Sequence, residues 1–168
     1  MPAAAGIINL MVLIEDPGLI LLACPGTGGR TPAADLAALR ALGASLVLTL
    51  VETEKLERLG LTNFGALVKR AGMDWLHLPI TDFGVPGEAF LREWPAASAD
   101  IHVRFQRGER TAIHCRAGIG RTGLAASMIL IERGLPPGEA IALVRRHRPG
   151  AVETEAQLAF VMNWARTA

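Results

Sequence analysis

Short apolar runs alternate with longer segments of helical spacing along this 168-residue chain. Residues 46–51 are apolar except for Thr49, rich in branched side chains and bounded by Ser45 and Glu52, the pattern of a strand buried on both faces. Residues 74–78, closed by Pro79, residues 111–115, which run into glycines, and residues 18–24, closed by Pro25, read the same way. Between them the spacing predicts helices over 32–42, 63–71 and 88–106, with Thr31 as a cap, Pro32 in the first turn and Gly43 as the stop. Pro95 lies inside the third helix and predicts a kink or break there. Three more helices follow, over 121–133, 137–147 and 153–166. Strands alternating with helices predict an α/β fold with a mostly parallel sheet and crossover connections. With no repeat or linker in view, the expectation is one domain over 1–168, and the glycine-rich run 24–29 reads as a long, flexible turn.

Composition narrows the partners. The chain is 51% hydrophobic and 20% charged, enough apolar surface to fold, and its formal net charge of +1 offers no broad basic field for nucleic acid or anionic lipid. Neither nucleic acid nor membrane is expected as a partner, and a monomer is expected. The apolar N-terminal stretch 1–14 lacks a basic start and is interrupted by Asn9, so it matches neither a signal peptide nor a membrane span, and the expected compartment is the cytoplasm. Cys24 and Cys115 are both read as reduced.

Chemistry concentrates where the strand ending at Cys115 passes through Gly118 and Gly120 into a helix near Arg121. Glycines let successive backbone N–H groups turn inward as an anion nest, and the helix N-terminus adds its positive end. Arg116, Ala117, Gly118, Ile119 and Gly120 would line this phosphate cradle, whose potential also favours a thiolate at Cys115. Arg121 offers a planar fork for two phosphate oxygens. Thr122 places a hydroxyl either beside the sulfur or on the helix backbone. His114, pointing away from Cys115 at the strand end, suits orienting the loop better than transferring protons. A general acid is needed for the leaving oxygen, and Asp82, directly after a predicted strand and followed by Gly84 and Pro86, is the best candidate. Glu88 and Asp100 read as helix-start and helix-surface residues.

The run of residues 114–123, HCRAGIGRTG, resembles the signature loop of the protein tyrosine phosphatase superfamily. Asp82, 33 residues earlier, lies in a segment similar to the general-acid loop of its dual-specificity members, and 152–157 resembles the superfamily's glutamine loop. The resemblance covers roughly residues 18–165. It implies a three-layer sandwich with a central sheet flanked by helices, and a cysteinyl-phosphate intermediate at Cys115. Gln157 then orients the water that hydrolyses the intermediate, although Thr154 and Gln157 also have the spacing of a capping box. Glu52 and its neighbours form either a pocket rim or a solvated helix start. Cys24, in a run similar to one in the kinase-associated branch, has no chemical role assigned. The absence of tyrosine and of an aromatic recognition loop favours the shallow dual-specificity type, and Ala117 and Ile119 stand where phosphoinositide phosphatases carry lysines.

The implied activity is hydrolysis of phosphotyrosine, with phosphoserine and phosphothreonine, in proteins. The alternatives are a non-protein phosphoester (an inositol phosphate, a phosphoinositide or a nucleotide) and an inactive phosphate-binding module. The chemistry calls for no cofactor and no metal.

Overall fold

The computed structural model describes residues 11–165. A five-stranded sheet is built from β1 (Met11–Ile14), β2 (Leu19–Leu22), β3 (Ala44–Thr49), β4 (Asp74–His77) and β5 (Arg110–His114), in the order β1-β2-β5-β3-β4. β1 pairs antiparallel with β2, and the other pairs are parallel. Its helices are α1 (Pro32–Ala41), α2 (Thr53–Arg58), α3 (Phe64–Arg70), α4 (Glu88–Gln106), α5 (Gly120–Glu132), α6 (Pro137–His147) and α7 (Glu155–Trp164). α1 and α3 pack together against β3 and β4, while α4 and α5 cover β5 and α6 and α7 join them. This is the expected three-layer α/β sandwich. β2 and most of β3 are buried on both faces, as their unbroken apolar runs predict.

Local sequence sets the element ends. Thr31 caps α1 by accepting from the Ala34 amide, and Gly43 ends it at φ 87°. The N-terminal strand β1 was not expected; the reading of residues 1–10 falls outside the described residues. α4 is continuous over 19 residues, against the predicted break at Pro95. Pro95 is exposed, so the Leu91 carbonyl it frees lies on the solvent side, while Phe90, Trp94, Ile101 and Phe105 anchor both halves of the helix. The carboxylate of Glu132, at the end of α5, ties this layer together. It accepts from Trp94 Nε1 at 2.7 Å, Trp164 Nε1 at 3.2 Å and Ser98 Oγ, and lies 3.1 Å from His102 Nε2.

The turn expected to be flexible is pinned instead. Asp35, buried on α1, accepts from the Gly26 amide at 2.8 Å and pairs with Arg30 at 2.7 Å. Because β3, β4 and β5 run parallel, Thr49, His77 and His114 end at one edge of the sheet. The loops leaving that edge carry Glu52, Asp82 and Cys115.

Candidate active site

Three carbonyls shape the loop after Cys115. The Arg116 carbonyl accepts from the Cys24 amide at 3.1 Å. The carbonyls of Ala117 and Gly118 accept from Arg148 at 2.8 and 2.9 Å. A trans peptide sets each C=O opposite the next N–H, so the amides of Ala117, Gly118 and Ile119 turn the other way, toward the space over Cys115. Gly118 is at φ 73°, and a Cβ there would meet the Leu22 backbone at 2.4 Å. Only glycine lets the loop lie this close to β2. α5 then starts at Gly120 and aims its positive end into the same space.

Cys115 is buried, and the Thr122 hydroxyl donates to its sulfur at 3.1 Å, which selects the sulfur-facing alternative for Thr122. Arg121 is only 2% exposed. Its Nη1 donates to Glu52 Oε2 at 2.8 Å, to the Ile80 carbonyl at 2.9 Å and to the Leu50 carbonyl at 3.5 Å. Nη2 lies 3.2 Å from Asp82 Oδ1, but that oxygen is out of line with its N–H bonds, so among the described residues Nη2 has no hydrogen-bond acceptor.

Glu52 is therefore both a helix start and a rim residue: it is the N-cap of α2, and its carboxylate bridges Arg121 and the loop carrying Asp82 by accepting from the Asp82 amide at 2.9 Å. Asp82 Oδ2 pairs with Lys55 Nζ at 3.0 Å. Partial burial works against ionisation of Asp82, but Lys55 and Arg121 outweigh it and hold the carboxyl below its usual range. Burial likewise opposes ionisation of Glu52, and the amides of Glu52 and Asp82 together with Arg121 reverse it. Phe83, next to Asp82, is 59% exposed and sits at φ 59°, an uncommon backbone conformation for an aromatic residue.

The capping box at α7 is present: Thr154 Oγ1 accepts from the Gln157 amide, and Gln157 Oε1 accepts from the amides of Glu153 and Thr154 at 2.9 and 3.2 Å. That box starts α7 at Glu155 rather than at the predicted residue 153. Gln157 Nε2 donates to the Gly84 carbonyl at 3.0 Å, so both ends of its amide are engaged. Gln157 still borders the cradle, because a Cβ on Gly120 would come within 3.0 Å of its Oε1. Val152 precedes the box at φ 57°, its carbonyl held by Arg145 at 2.9 Å.

His114 is buried behind the loop, where burial holds its pKa down to about 4. Cys24, buried beside the loop, is pushed up to about 11 by burial, with Arg116 opposing. Both cysteines are free thiols. Glu88 and Asp100 lie in the first turn and on the flank of α4, where Asp100 pairs with Arg104.

Residues 22–135 match the family model described as "Polymorphic toxin system, DSP-PTPase phosphatase", about two thirds of the chain. The chain belongs to that family. It is 29% identical over 87 residues to the probable protein tyrosine phosphatase type IVA A of Dictyostelium discoideum, covering 52% of this chain and 51% of that protein. It thus spans about half the length of that curated relative. Among solved structures, Tk-PTP in its active form is 27% identical with TM-score 0.73, covering 94% of this chain and 97% of that one. A kinase-associated phosphatase with its catalytic-site cysteine replaced by serine matches in fold at TM-score 0.80 and 22% identity, covering 94% of this chain and 93% of that one.

Two residues around this loop carry no local sequence signal for the places they take. Arg148 looks like an ordinary basic residue at a helix end, and only the folded chain brings it to Ala117 and Gly118. Lys55 reads as one charge in a polar run, and its pairing with Asp82 across 27 residues has no local signal. Among the described residues, no group of three or more His, Cys, Asp or Glu could hold a metal ion, and no helix is long and apolar enough to cross a membrane.

Proposed function

We propose that this chain is a phosphoric monoester hydrolase acting through a cysteinyl-phosphate at Cys115, with residues 1–168 as one phosphatase domain. The observation that carries this reading is the buried Nη2 of Arg121, which lacks a hydrogen-bond acceptor among the described residues beside a sulfur already held by Thr122. A buried donor of this kind costs stability unless a ligand oxygen completes it.

In the first step the Cys115 thiolate attacks phosphorus while the ester P–O bond breaks, and the leaving oxygen takes the proton of Asp82. Asp82 must be protonated for this, yet Lys55 and Arg121 favour its carboxylate. A phosphate dianion seated on Arg121 competes for that cation and adds negative charge beside Asp82; both effects raise its proton affinity. In the second step water attacks phosphorus, its proton passes to Asp82, and the S–P bond breaks to return the thiolate, which the Thr122 hydroxyl stabilises. Gln157 orients that water from the edge of the cradle. Its bond to Gly84 means that this role requires the amide to exchange partners, or that it acts by holding the acid loop in place.

Phosphotyrosine in proteins is the substrate class the site supports best, because exposed Phe83 offers an apolar wall next to the acid. The setting is cytoplasmic and the chain monomeric in this reading. The test is a comparison of kcat/KM on phosphotyrosine, phosphoserine, phosphothreonine, inositol phosphate and nucleotide substrates. Phosphotyrosine leading the set supports the reading, an inositol phosphate or nucleotide leading it overturns the substrate class, and no turnover on any substrate between pH 5 and 8 leaves a phosphate-binding module.

A further inference from the structure

The loop that follows Cys115 runs between two walls of different charge. On the β2 side, the Cys24 amide donates to the Arg116 carbonyl and Gly118 lies against the Leu22 backbone. On the α7 side, a Cβ added to Gly120 would stand 2.8 Å from Glu153 Oε2 and 3.1 Å from the Glu153 Cβ. Glu153 therefore lays its side chain along the glycine that starts α5 and would border a bound phosphate. A residue with a side chain at 120 would displace it.

Among the described residues the Glu153 carboxylate, on an exposed residue, makes no hydrogen bond or ion pair; its main-chain amide alone is engaged, donating to Gln157 Oε1 at 2.9 Å. The other carboxylates at this edge are committed, Glu52 to Arg121 and the Asp82 amide, and Asp82 to Lys55 and Arg121. Glu153 thus leaves an uncompensated negative charge on the α7 side of the cradle. Ala117 and Ile119 add no charge to the loop, and its exposed cation, Arg116, acts on Cys24, on the β2 side. A negative charge here opposes the scissile phosphate itself, but that cost is common to every monoester and cancels when two substrates are compared. What differs is the charge carried next to the phosphate. A second phosphate or a carboxylate there is repelled by Glu153, whereas an ammonium or guanidinium is attracted.

We propose that Glu153 is a specificity-determining residue of this site: it selects phosphotyrosine flanked by lysine or arginine over phosphotyrosine flanked by acidic residues and over phosphoesters carrying a second phosphate. The inference rests on the reading of the site as a phosphatase.

The test compares Glu153→Gln and Glu153→Lys with the wild type on phosphotyrosine peptides of one sequence, in which the residues on either side of the phosphotyrosine are lysine, alanine or glutamate. An attraction or repulsion between exposed unit charges is worth up to about fivefold, so the two together make Glu153's contribution to the lysine-over-glutamate ratio of kcat/KM about tenfold at low salt. Glu153→Gln should remove that factor and Glu153→Lys should push the ratio further the same way, both effects shrinking at about 0.5 M sodium chloride. Comparing ratios cancels what Arg116 contributes and any loss common to all substrates. A ratio unchanged in both variants overturns the proposal, and equal losses on all the peptides would assign Glu153 to holding the start of α7 instead. The same charge is read without turnover from the protection of Cys115 against iodoacetamide. Glu153→Gln should strengthen protection by pyrophosphate about threefold more than protection by inorganic phosphate, and equal changes for the two contradict the proposal. Should the wild-type protein turn over none of the peptides, the phosphatase reading fails, while the protection ratio still decides the role of Glu153.

Discussion

Replacing Glu52 by glutamine keeps its shape and removes one acceptor, which makes the cost calculable. The carboxylate accepts from the Asp82 amide through Oε1 at 2.9 Å and from Arg121 through Oε2 at 2.8 Å. A glutamine whose oxygen faces Asp82 sets its NH₂ against the guanidinium, and the flipped amide sets it against the Asp82 N–H. One charged hydrogen bond is lost either way, worth about 1.5–3 kcal/mol. Arg121 keeps the Leu50 and Ile80 carbonyls, and Glu52 is 20% exposed, so the loss stays below that of a fully buried broken pair and comes to about 2 kcal/mol. Urea unfolding at pH 7 measures it, with an unchanged slope expected, and kcat/KM should fall roughly tenfold as Arg121 loses its brace. Because the native carboxyl is held below its usual range, its contribution is present above the unfolded value of about 4.3 and is lost as pH falls through the lower native one. The gap between wild type and variant should therefore close in acid. A stability change under about 0.5 kcal/mol together with wild-type kcat/KM would refute the bridging role, the threshold being the usual size of a neutral surface substitution.

Asp82→Asn should slow aryl phosphates with poor leaving groups severely and activated esters much less; equal losses on both would remove Asp82 from the acid role. Gly118→Ala should abolish activity and lower stability by about 2 kcal/mol or more, since φ 73° and a 2.4 Å approach to the Leu22 backbone leave no room for a methyl group; a fully active variant contradicts the described cradle. His114 contributes a pH slope. Its native pKa of about 4 lies below the unfolded value of about 6.5, so the unfolded chain takes up the proton first and stability falls as pH drops from 6.5 toward 4. Between pH 7 and 5 the loss should be about 2 kcal/mol, read by urea unfolding, and His114→Asn should remove that part of the slope.

The parallel strands and most helices were legible because their signals are local: unbroken branched runs, Thr31 before Pro32, Gly43 at a stop. β1 was not, since its four residues merge with the apolar stretch before them and carry no alternation of their own. Pro95 misled because propensity sees the lost amide and not the buried faces on either side of it. The loop after Cys115 could be read in detail because the residues proposed to hold phosphate form one contiguous segment. Its supports were less legible: Glu52 and its neighbours, Lys55 among them, read equally as a pocket rim or a solvated helix start, and Arg148 carried no signal, because all three reach Arg121, Asp82 and the loop carbonyls from distant parts of the chain. For Gln157 the capping-box spacing was legible in the sequence, whereas its bond to the Gly84 carbonyl, 73 residues away, was not.

The most direct test of the central claim is to quench the protein during turnover of para-nitrophenyl phosphate and locate the transferred phosphoryl group by mass spectrometry. The account predicts a phosphoryl group on the peptide containing Cys115, absent in Cys115→Ser, which should still bind phosphate analogues but release no phosphate. Steady release of phosphate by Cys115→Ser, or a phosphoryl group carried on another residue, would contradict it.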